Sequence, residues 1–200
     1  MPTAITPSSS DPTRATYSSP IGRLTLAARR GALVGLWVAG QRFFGSPYGI
    51  DEAVACSALD LTSPDSREAV RAAEWDEADA LALKAAAAWL DGYFAGEAPS
   101  PVCVPIAPAG TDFQQRVWEA MDAIPYGATR TYGQIAATLR GAGLPASAQA
   151  VGGAVGRNPV LLIRPCHRVV AASGPGGYAA GADAKAWLLA HEAATSSSAS

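Results

Sequence analysis

Residues 131–156 read TYGQIAATLRGAGLPASAQAVGGAVG, and their pattern predicts two helices joined by a short turn. Thr131 followed three residues later by Gln134 is typical of a capping box, which predicts the start of a helix. A second helix is expected to start near Pro145 or Ala146. Helix, short turn and helix form the helix-turn-helix motif, although compact three-helix packing gives the same pattern in proteins that bind no DNA.

The segments before this stretch predict two further helices and a boundary between two domains. Thr111 and Gln114 form another capping box, which predicts a helix with apolar residues at helical spacing. Asp76 to Phe94 carries apolar residues at three- and four-residue steps, so we predict a long helix that Gly96 ends. The segment from Pro99 to Pro108 holds four prolines in ten residues, which restricts it to an edge strand or an extended linker. We place a domain boundary at its end.

Strand patterns occur in the first forty residues. From Tyr17 onward, two apolar runs flank the turn from Arg29 to Ala32, as is typical of a β-hairpin. Residues 41–74 mix Gly, Pro, Ser and scattered charge, and we assign them to loops with at most one strand. The predicted division is a disordered tail (1–15), an N-terminal α/β domain with linker (16–108), a C-terminal domain (109–194) and a disordered tail (195–200).

Composition excludes several classes of protein. Of the 200 residues, 49% are hydrophobic and 16% are charged, which excludes disorder as the main state. The three cysteines and two histidines have no spacing typical of a disulfide framework or a zinc site, so we expect neither a metal nor a cofactor. Reduced cysteines, a polar N-terminus and the lack of an apolar run of about 18 residues predict a cytoplasmic protein that binds no membrane.

The net charge of −2 hides an asymmetry between the two halves of the chain. Residues 1–110 contain eight basic and twelve acidic residues, whereas residues 111–200 contain seven basic and five acidic residues. The first half therefore carries −4 and the second half +2. The second half is the candidate surface for a polyanion.

One cysteine has neighbours that indicate reactivity. Cys166 directly precedes His167 and lies between Arg164 and Arg168. Positive neighbours favour the thiolate, so we expect a lowered pKa for Cys166 and a nucleophilic role. The alternative is a buried inert cysteine, which is how we interpret the other two cysteines. Because adjacent residues on a strand point to opposite faces, Cys166 and His167 would interact through a bend or a bridging water.

In a series of ordered motifs, the sequence resembles the O6-alkylguanine-DNA alkyltransferases, also called methylated-DNA–protein-cysteine methyltransferases. The motifs that carry the resemblance are Ser19-Pro-Ile-Gly22, Gly110-Thr-Asp-Phe-Gln-Gln-Arg-Val-Trp118, Ile124-Pro-Tyr-Gly127, Thr131-Tyr-Gly-Gln134, Ala150-Val-Gly-Gly-Ala154, Asn158-Pro159, Pro165-Cys-His-Arg-Val169 and Lys185-x-Trp-Leu-Leu-x-His-Glu192. The resemblance implies an α+β protein. Its parts would be a small N-terminal α/β domain of ribonuclease H-like fold and a C-terminal all-helical domain with a winged helix-turn-helix-like motif.

The resemblance also implies a function. A protein of this family would bind double-stranded DNA that contains alkylated bases, as a monomer, and flip the damaged base out of the helix. It would then transfer the alkyl group from guanine O6, or less readily from thymine O4, to its own cysteine. Each molecule would act once.

Roles for individual residues follow from the same resemblance. Cys166 would be the alkyl acceptor, His167 the base that takes its proton through a water molecule, and Glu192 the carboxylate that holds His167. Taken alone, Glu192 is typical of a solvated residue at a helix end. Asn158 would tie the recognition helix to the Cys166 turn. Tyr132 would crowd the 3′ phosphate during base rotation and hydrogen-bond to the flipped base.

The resemblance further implies a DNA-binding surface and a substrate pocket. Gly152 and Gly153 would let the recognition helix approach the minor groove, although close helix packing through small residues also explains them. The residues expected to contact DNA are Tyr132, Gln149, Ala150, Gly152, Gly153, Arg157 and Arg168, with Arg130 and Arg140 as further candidates for phosphate contacts. The residues expected at the substrate pocket are Val169, Tyr178, Ala179 and Lys185.

The sequence departs from the family pattern at two places. Gln149 stands where the family has an intercalating arginine, which predicts weaker DNA affinity or slower base flipping because glutamine lacks the charge. The interval from Cys166 to Tyr178 is one residue shorter than the family pattern, so the resemblance does not determine the width of the pocket or the size of the alkyl group that it accepts. Two alternatives remain: a non-catalytic lesion-binding protein, against which Cys166 argues, and a thiol hydrolase, which has no support beyond the Cys–His pair.

Overall fold

A four-stranded sheet forms the first part of the protein. The computed structural model describes residues 11–55, 58–69 and 75–196. The first three strands are antiparallel neighbours, and the short fourth strand runs parallel to the first. These strands are β1 (Thr13–Ser19), β2 (Gly22–Arg29), β3 (Ala32–Val38) and β4 (Leu59–Asp60), and they lie in the order β3-β2-β1-β4.

The predicted hairpin is confirmed as β2 and β3, and the structure adds a strand before it. Residues 13–15, which we assigned to a disordered tail, belong to β1, so that part of the prediction is wrong. Their polar composition concealed a strand whose backbone is satisfied by pairing, with Thr13 opposite Ala28. Ala15 and Tyr17 are buried in the core. Residues 1–10 of the predicted tail lie outside the described residues.

The segment 41–74 is more ordered than the sequence predicts. It contains the helices α1 (Glu52–Ala55) and α2 (Pro64–Ala69) in addition to β4, where we expected loops with at most one strand. Helices of four and six residues are too short to show an amphipathic period, which explains why the pattern missed them. Residues 56–57 and 70–74 lie outside the described residues.

The predicted long helix is confirmed as α3 (Glu77–Phe94). It begins after Asp76, whose side chain accepts hydrogen bonds from the backbone N–H groups of Ala78 and Asp79. The helix packs on β1, β2 and β3, and Leu83 is among its fully buried side chains. The last turn of α3 also contacts the C-terminal half of the chain, through Tyr93.

Four helices dominate the C-terminal half: α4 (Asp112–Asp122), α5 (Tyr132–Gly141), α6 (Ala148–Val155) and α7 (Ala182–Ser196). Both predicted capping boxes are present, at Thr111 and at Thr131. Helix α6 begins slightly later than predicted because Ser147 is its N-cap, with the Ser147 hydroxyl accepting from the Ala150 N–H. With a mixed sheet and separate helices, the protein has the predicted α+β class.

Two details of the C-terminal half differ from the predictions. The half is not all-helical, because β5 (Arg130–Thr131) and β6 (Val169–Val170) form a short parallel pair. Thr195 and Ser196, which we assigned to a disordered tail, complete α7, where the Thr195 hydroxyl bonds to the His191 carbonyl and to Tyr126. Residues 197–200 lie outside the described residues. No helix in the described parts of the chain is long and apolar enough to cross a membrane.

The two halves are joined along the edge strand β3. The proline-rich segment lies beside this strand, with the Leu33 N–H donating to the Pro105 carbonyl at 2.7 Å. Further along β3, the Leu36 N–H donates to the Pro159 carbonyl at 2.8 Å and the Leu36 carbonyl accepts from the Leu161 N–H at 3.0 Å. This main-chain pairing places the segment that leads to Cys166 directly against the N-terminal sheet.

Candidate active site

Cys166 lies in a short 3₁₀ turn, Cys166–Arg168, that follows Pro165. Its side chain is 3% exposed. Asn158, located just after α6, donates from Nδ2 to the Cys166 Sγ at 3.2 Å and to the Arg164 carbonyl at 3.1 Å. The amide therefore links the end of α6 to the turn that carries the thiol and supplies a hydrogen-bond donor to the sulfur.

The protonation of Cys166 differs from the sequence expectation. Burial raises the pKa of the Cys166 thiol to about 11, although the hydrogen bond from Asn158 and the charge of Lys185 act in the opposite direction. The prediction of a lowered pKa is wrong because burial outweighs the groups that favour the thiolate, and the flanking arginines pair with acidic partners of their own. Arg164 lies 3.3 Å from Asp122, and Arg168 lies 2.9 Å from Glu192. The thiol is the resting form, so its reaction requires a base.

His167 is the base nearest in sequence, and it is completely buried. Its Nε2 lies 2.7 Å from Oε1 of Glu192, whereas no partner for Nδ1 occurs among the described residues. Burial lowers the pKa of His167 in spite of the hydrogen bond to Glu192, so the imidazole is neutral at pH 7. A neutral imidazole that bonds to a carboxylate through Nε2 carries its proton there, which leaves Nδ1 free to accept one.

Glu192 is 1% exposed, so the interpretation of this residue as a solvated helix end is wrong. Gly127 donates its N–H to Oε2 at 3.0 Å, and Arg168 and Tyr93 also donate to the carboxylate. Burial alone would raise the pKa of Glu192, but the hydrogen bonds from His167 and Arg168, together with their charges, lower it to about 2. Glu192 is therefore a permanent carboxylate.

The expectation that Arg168 contacts DNA is contradicted by the structure. Arg168 is 9% exposed, its guanidinium bonds to both oxygens of Glu192, and its Nη1 donates to the Ile124 carbonyl at 2.8 Å. Its Nε, Nη1 and Nη2 each donate inside the protein, so the guanidinium is bound to Glu192 and the Ile124 carbonyl and is largely withdrawn from the surface. Its position next to Cys166 and His167 in the sequence gave no indication that it turns inward.

A pocket of about 240 Å³ opens onto Cys166. Tyr178, which the resemblance assigns to the pocket wall, lines this pocket together with Tyr132, whose hydroxyl donates to the Gly177 carbonyl at 3.4 Å. Val169 and Lys185 lie behind the wall, where the Lys185 ammonium donates to the carbonyls of Val169 and Gly177. The residues that line the pocket are Arg42, Phe43, Tyr132, Gly152, Val155, Gly156, Cys166, Gly177, Tyr178 and Ala179.

Helix α6 presents small residues to solvent beside this pocket. A Cβ atom built on Gly152 would come no closer than 3.8 Å to another atom, and one built on Gly153 no closer than 3.6 Å. These are ordinary contact distances, so packing inside the protein does not require glycine at either position. Gln149, Ala150 and Arg157 are exposed on the same helix or just after it.

The structure brings into the site side chains that the sequence analysis did not assign to it. Arg42 and Phe43, from the N-terminal half, line the pocket, and the Arg42 N–H donates to the Ala179 carbonyl at 3.2 Å. Tyr93, at the end of α3, reaches Glu192 and His167. Segment 41–74 had no readable pattern, and Tyr93 was indistinguishable from the apolar stripe of its helix, so local sequence signals could not identify these residues.

Comparisons with known proteins agree with this geometry. A family model described as "6-O-methylguanine DNA methyltransferase, DNA binding domain" matches residues 112–194. The methylated-DNA–protein-cysteine methyltransferase of Mycolicibacterium paratuberculosis is 39% identical over 178 residues, which cover 88% of this chain and 90% of that protein. The protein of the same name from Methanosarcina acetivorans is 52% identical over 101 residues, which cover 50% of this chain and 62% of that protein.

A solved structure extends the comparison to three dimensions. The crystal structure of Mycobacterium tuberculosis OGT in complex with DNA aligns with a TM-score of 0.65 and 36% sequence identity. The alignment covers 91% of this chain and 93% of that chain. The likeness therefore extends over the sheet, the joint at β3 and the helices around Cys166.

Proposed function

The chain belongs to the methylated-DNA–protein-cysteine methyltransferase family, and we propose that it repairs double-stranded DNA by transferring the alkyl group of O6-alkylguanine to its own Cys166. The observation that carries the proposal is a thiol, Cys166, that lines a pocket and is followed in the chain by a buried His167 whose imidazole bonds to the carboxylate of Glu192. The protein acts as a monomer in the cytoplasm, once per molecule, and accepts O4-alkylthymine less readily.

The chemical step begins with proton removal from Cys166. Because the pKa of the thiol is about 11, little thiolate exists at neutral pH without a base. His167 takes the proton at Nδ1 through one water molecule, and the permanent carboxylate of Glu192 stabilises the imidazolium that forms. A water bridge suits this pair because Nδ1 is the ring nitrogen without a partner among the described residues.

The thiolate then displaces guanine from the alkyl carbon. The S–C bond forms as the O6–C bond breaks, and the electron pair of that bond stays on O6. Guanine regains one proton, which the Cys166 thiol supplies in the net reaction. In the proposed mechanism the backbone of the loop at Tyr178 and Ala179, which line the pocket, bonds to O6, and Lys185 stabilises that loop through the Gly177 carbonyl. Cys166 ends as a thioether, so the protein is consumed.

Reaction at O6 requires the base to leave the DNA stack. Guanine O6 lies on the major-groove edge of a stacked pair, where a buried thiol has no access to it, so the base must be flipped. The open surface over Gly152 and Gly153 allows a DNA backbone to approach α6 closely. Gln149 fills the gap left by the base, and Tyr132 crowds the adjacent phosphate.

The experiment is to incubate the protein with duplex DNA that carries O6-methylguanine with a radiolabelled methyl group. We expect stoichiometric label on Cys166, loss of labelling in Cys166→Ala, and unchanged labelling in Cys103→Ala, which removes an exposed cysteine away from the pocket. Undiminished transfer in Cys166→Ala would exclude the mechanism. Tight lesion binding without any label would instead indicate a non-catalytic lesion-binding protein.

A further inference from the structure

The last turn of α3, in the N-terminal half, reaches into the Cys166 site. Tyr93 is fully buried, and its hydroxyl donates to Oε1 of Glu192 at 2.8 Å. The same hydroxyl lies 3.4 Å from Nε2 of His167. Glu192 is 99 residues away from Tyr93 in the sequence, so this contact exists only through the packing of the two halves.

The oxygen that Tyr93 contacts is the oxygen that holds His167. Oε1 of Glu192 accepts from Nε2 of His167 at 2.7 Å and from Tyr93 at 2.8 Å. Arg168 donates to the same oxygen from Nη2 at 3.0 Å. With these donors around it, the carboxylate is fixed in position and its negative charge is shared.

We propose that Tyr93 is a positioning residue for alkyl transfer, whose hydroxyl orients the Glu192 carboxylate and weakens its attraction for a proton on His167. The inference rests on the proposed function, because it assigns His167 as the base for Cys166. Through this contact, the N-terminal half contributes to the reactivity of a cysteine that lies in the C-terminal half.

The direction of the effect follows from the hydrogen bond. A donor to a carboxylate withdraws charge from it, so its removal leaves Glu192 better able to stabilise the imidazolium of His167. His167 would then remain protonated to a higher pH, so near pH 6 a smaller fraction of the imidazole could accept the Cys166 proton, whereas the neutral imidazole present at higher pH would accept it at least as well as in the wild type. The charged or titratable groups that face His167 are Glu192 and Lys185 from α7, Arg168 and Cys166 from its own turn, Tyr93 from α3, and Tyr178.

The aromatic ring of Tyr93 has a separate structural task. It stacks on Trp89 with ring centroids 5.2 Å apart and contacts Phe94, Tyr126 and His191. Phenylalanine keeps this ring packing and removes the hydroxyl alone. Tyr17→Phe is the matched control, because the Tyr17 hydroxyl is also in a nearly buried side chain and donates to a carboxylate, Asp91, at 2.8 Å, away from the Cys166 site.

The experiment measures the rate of Cys166 alkylation as a function of pH in the full-length wild type, Tyr93→Phe and Tyr17→Phe. Free O6-benzylguanine and iodoacetamide serve as separate probes. We expect Tyr93→Phe to react about threefold to tenfold more slowly than wild type near pH 6 with both probes, and to approach the wild-type rate near pH 9. Tyr17→Phe should follow the wild-type profile at every pH.

Other outcomes separate the two proposals. An equal loss of rate at every pH in Tyr93→Phe would show a purely structural role, and an unchanged profile would show no role; either result overturns the inference. If the wild-type protein takes no label from O6-methylguanine in duplex DNA, the proposed function fails, but the iodoacetamide profile still tests the link from Tyr93 to His167.

Discussion

Burial and hydrogen bonding act on the Cys166 thiol in opposite directions. Burial is the larger effect and raises its pKa to about 11, whereas Asn158 and Lys185 favour the thiolate. A protonated, buried thiol is protected from non-specific oxidation and alkylation, since the thiolate is the reactive form. In the proposed mechanism, Cys166 becomes reactive when His167 accepts its proton.

The protonation of Cys166 leads to a first prediction. Because the thiol ionises well above neutral pH, a His167→Gln variant, which lacks the base, should react with iodoacetamide at Cys166 with a rate constant that is still rising at pH 9, with no plateau between pH 7 and pH 9. Mass spectrometry of the Cys166 peptide measures this rate separately from the other cysteines. A plateau below about pH 8 would contradict a raised pKa.

Gln149 leads to a second prediction at the same scale. It is exposed in the first turn of α6, where an arginine side chain would fit without displacing neighbours. Gln149→Arg should accelerate repair of O6-methylguanine in duplex DNA, because a guanidinium stacks on bases and pairs with phosphate better than an amide does. Reaction with free O6-benzylguanine should stay unchanged, and equal effects on the two substrates would refute the prediction.

At the scale of elements, α6 depends on its neighbours more than on its own sequence. It has eight residues, too few for a stable isolated helix, and it packs against α4 and α5. The indole N–H of Trp118 in α4 donates to the Ala154 carbonyl at 3.0 Å, which anchors the buried side of α6. Its opposite side stays open over Gly152 and Gly153.

The stability of α6 should therefore depend on its N-cap residue, Ser147. Ser147→Ala should lower the free energy of unfolding by about 1 kcal/mol, because the Ala150 N–H loses its acceptor. Ser147→Asp should keep the cap and the stability but weaken DNA binding, since it places a negative charge on the surface proposed to face the phosphates. Urea denaturation and a DNA-binding titration measure the two effects. Equal stability of Ser147→Ala and wild type would show that the cap contributes nothing.

For the whole molecule, the charge distribution sets the strength of DNA binding. The C-terminal half carries two more basic than acidic residues, and Arg168 is buried with Glu192. Exposed arginines at 130, 140 and 157 are left as the candidates for phosphate contacts. Few such contacts imply an affinity that depends only modestly on salt concentration.

Two arginine variants should separate surface charge from buried charge. Arg157→Ala should weaken DNA binding and reduce the slope of log K against log salt by about 1, with little effect on folding. Arg168→Ala should instead destabilise the protein by roughly 3–5 kcal/mol, because it leaves the buried Glu192 carboxylate without its guanidinium partner. A stable Arg168→Ala protein with a reduced salt slope would contradict the buried assignment of Arg168.

The sequence predicted those features whose signals are local. Thr111 and Thr131 each stand three residues before a glutamine, and both helices begin there. The apolar periodicity of α3 and the two apolar runs of the β2–β3 hairpin also predicted those elements. Strand β1 and the short helices α1 and α2 were missed, because polar composition and short length leave no period to detect.

The sequence by itself determined the α+β class, the start of each capped helix and, through the order of its motifs, the family and the candidate nucleophile Cys166. Only the tertiary structure decided that this thiol is protonated at rest, that Arg168 turns inward and that Tyr93 reaches Glu192. The physical reason is that pKa values and ion pairs depend on burial and on partners tens of residues away. Pairs such as Tyr93 and Glu192, 99 residues apart, leave no local pattern in the sequence.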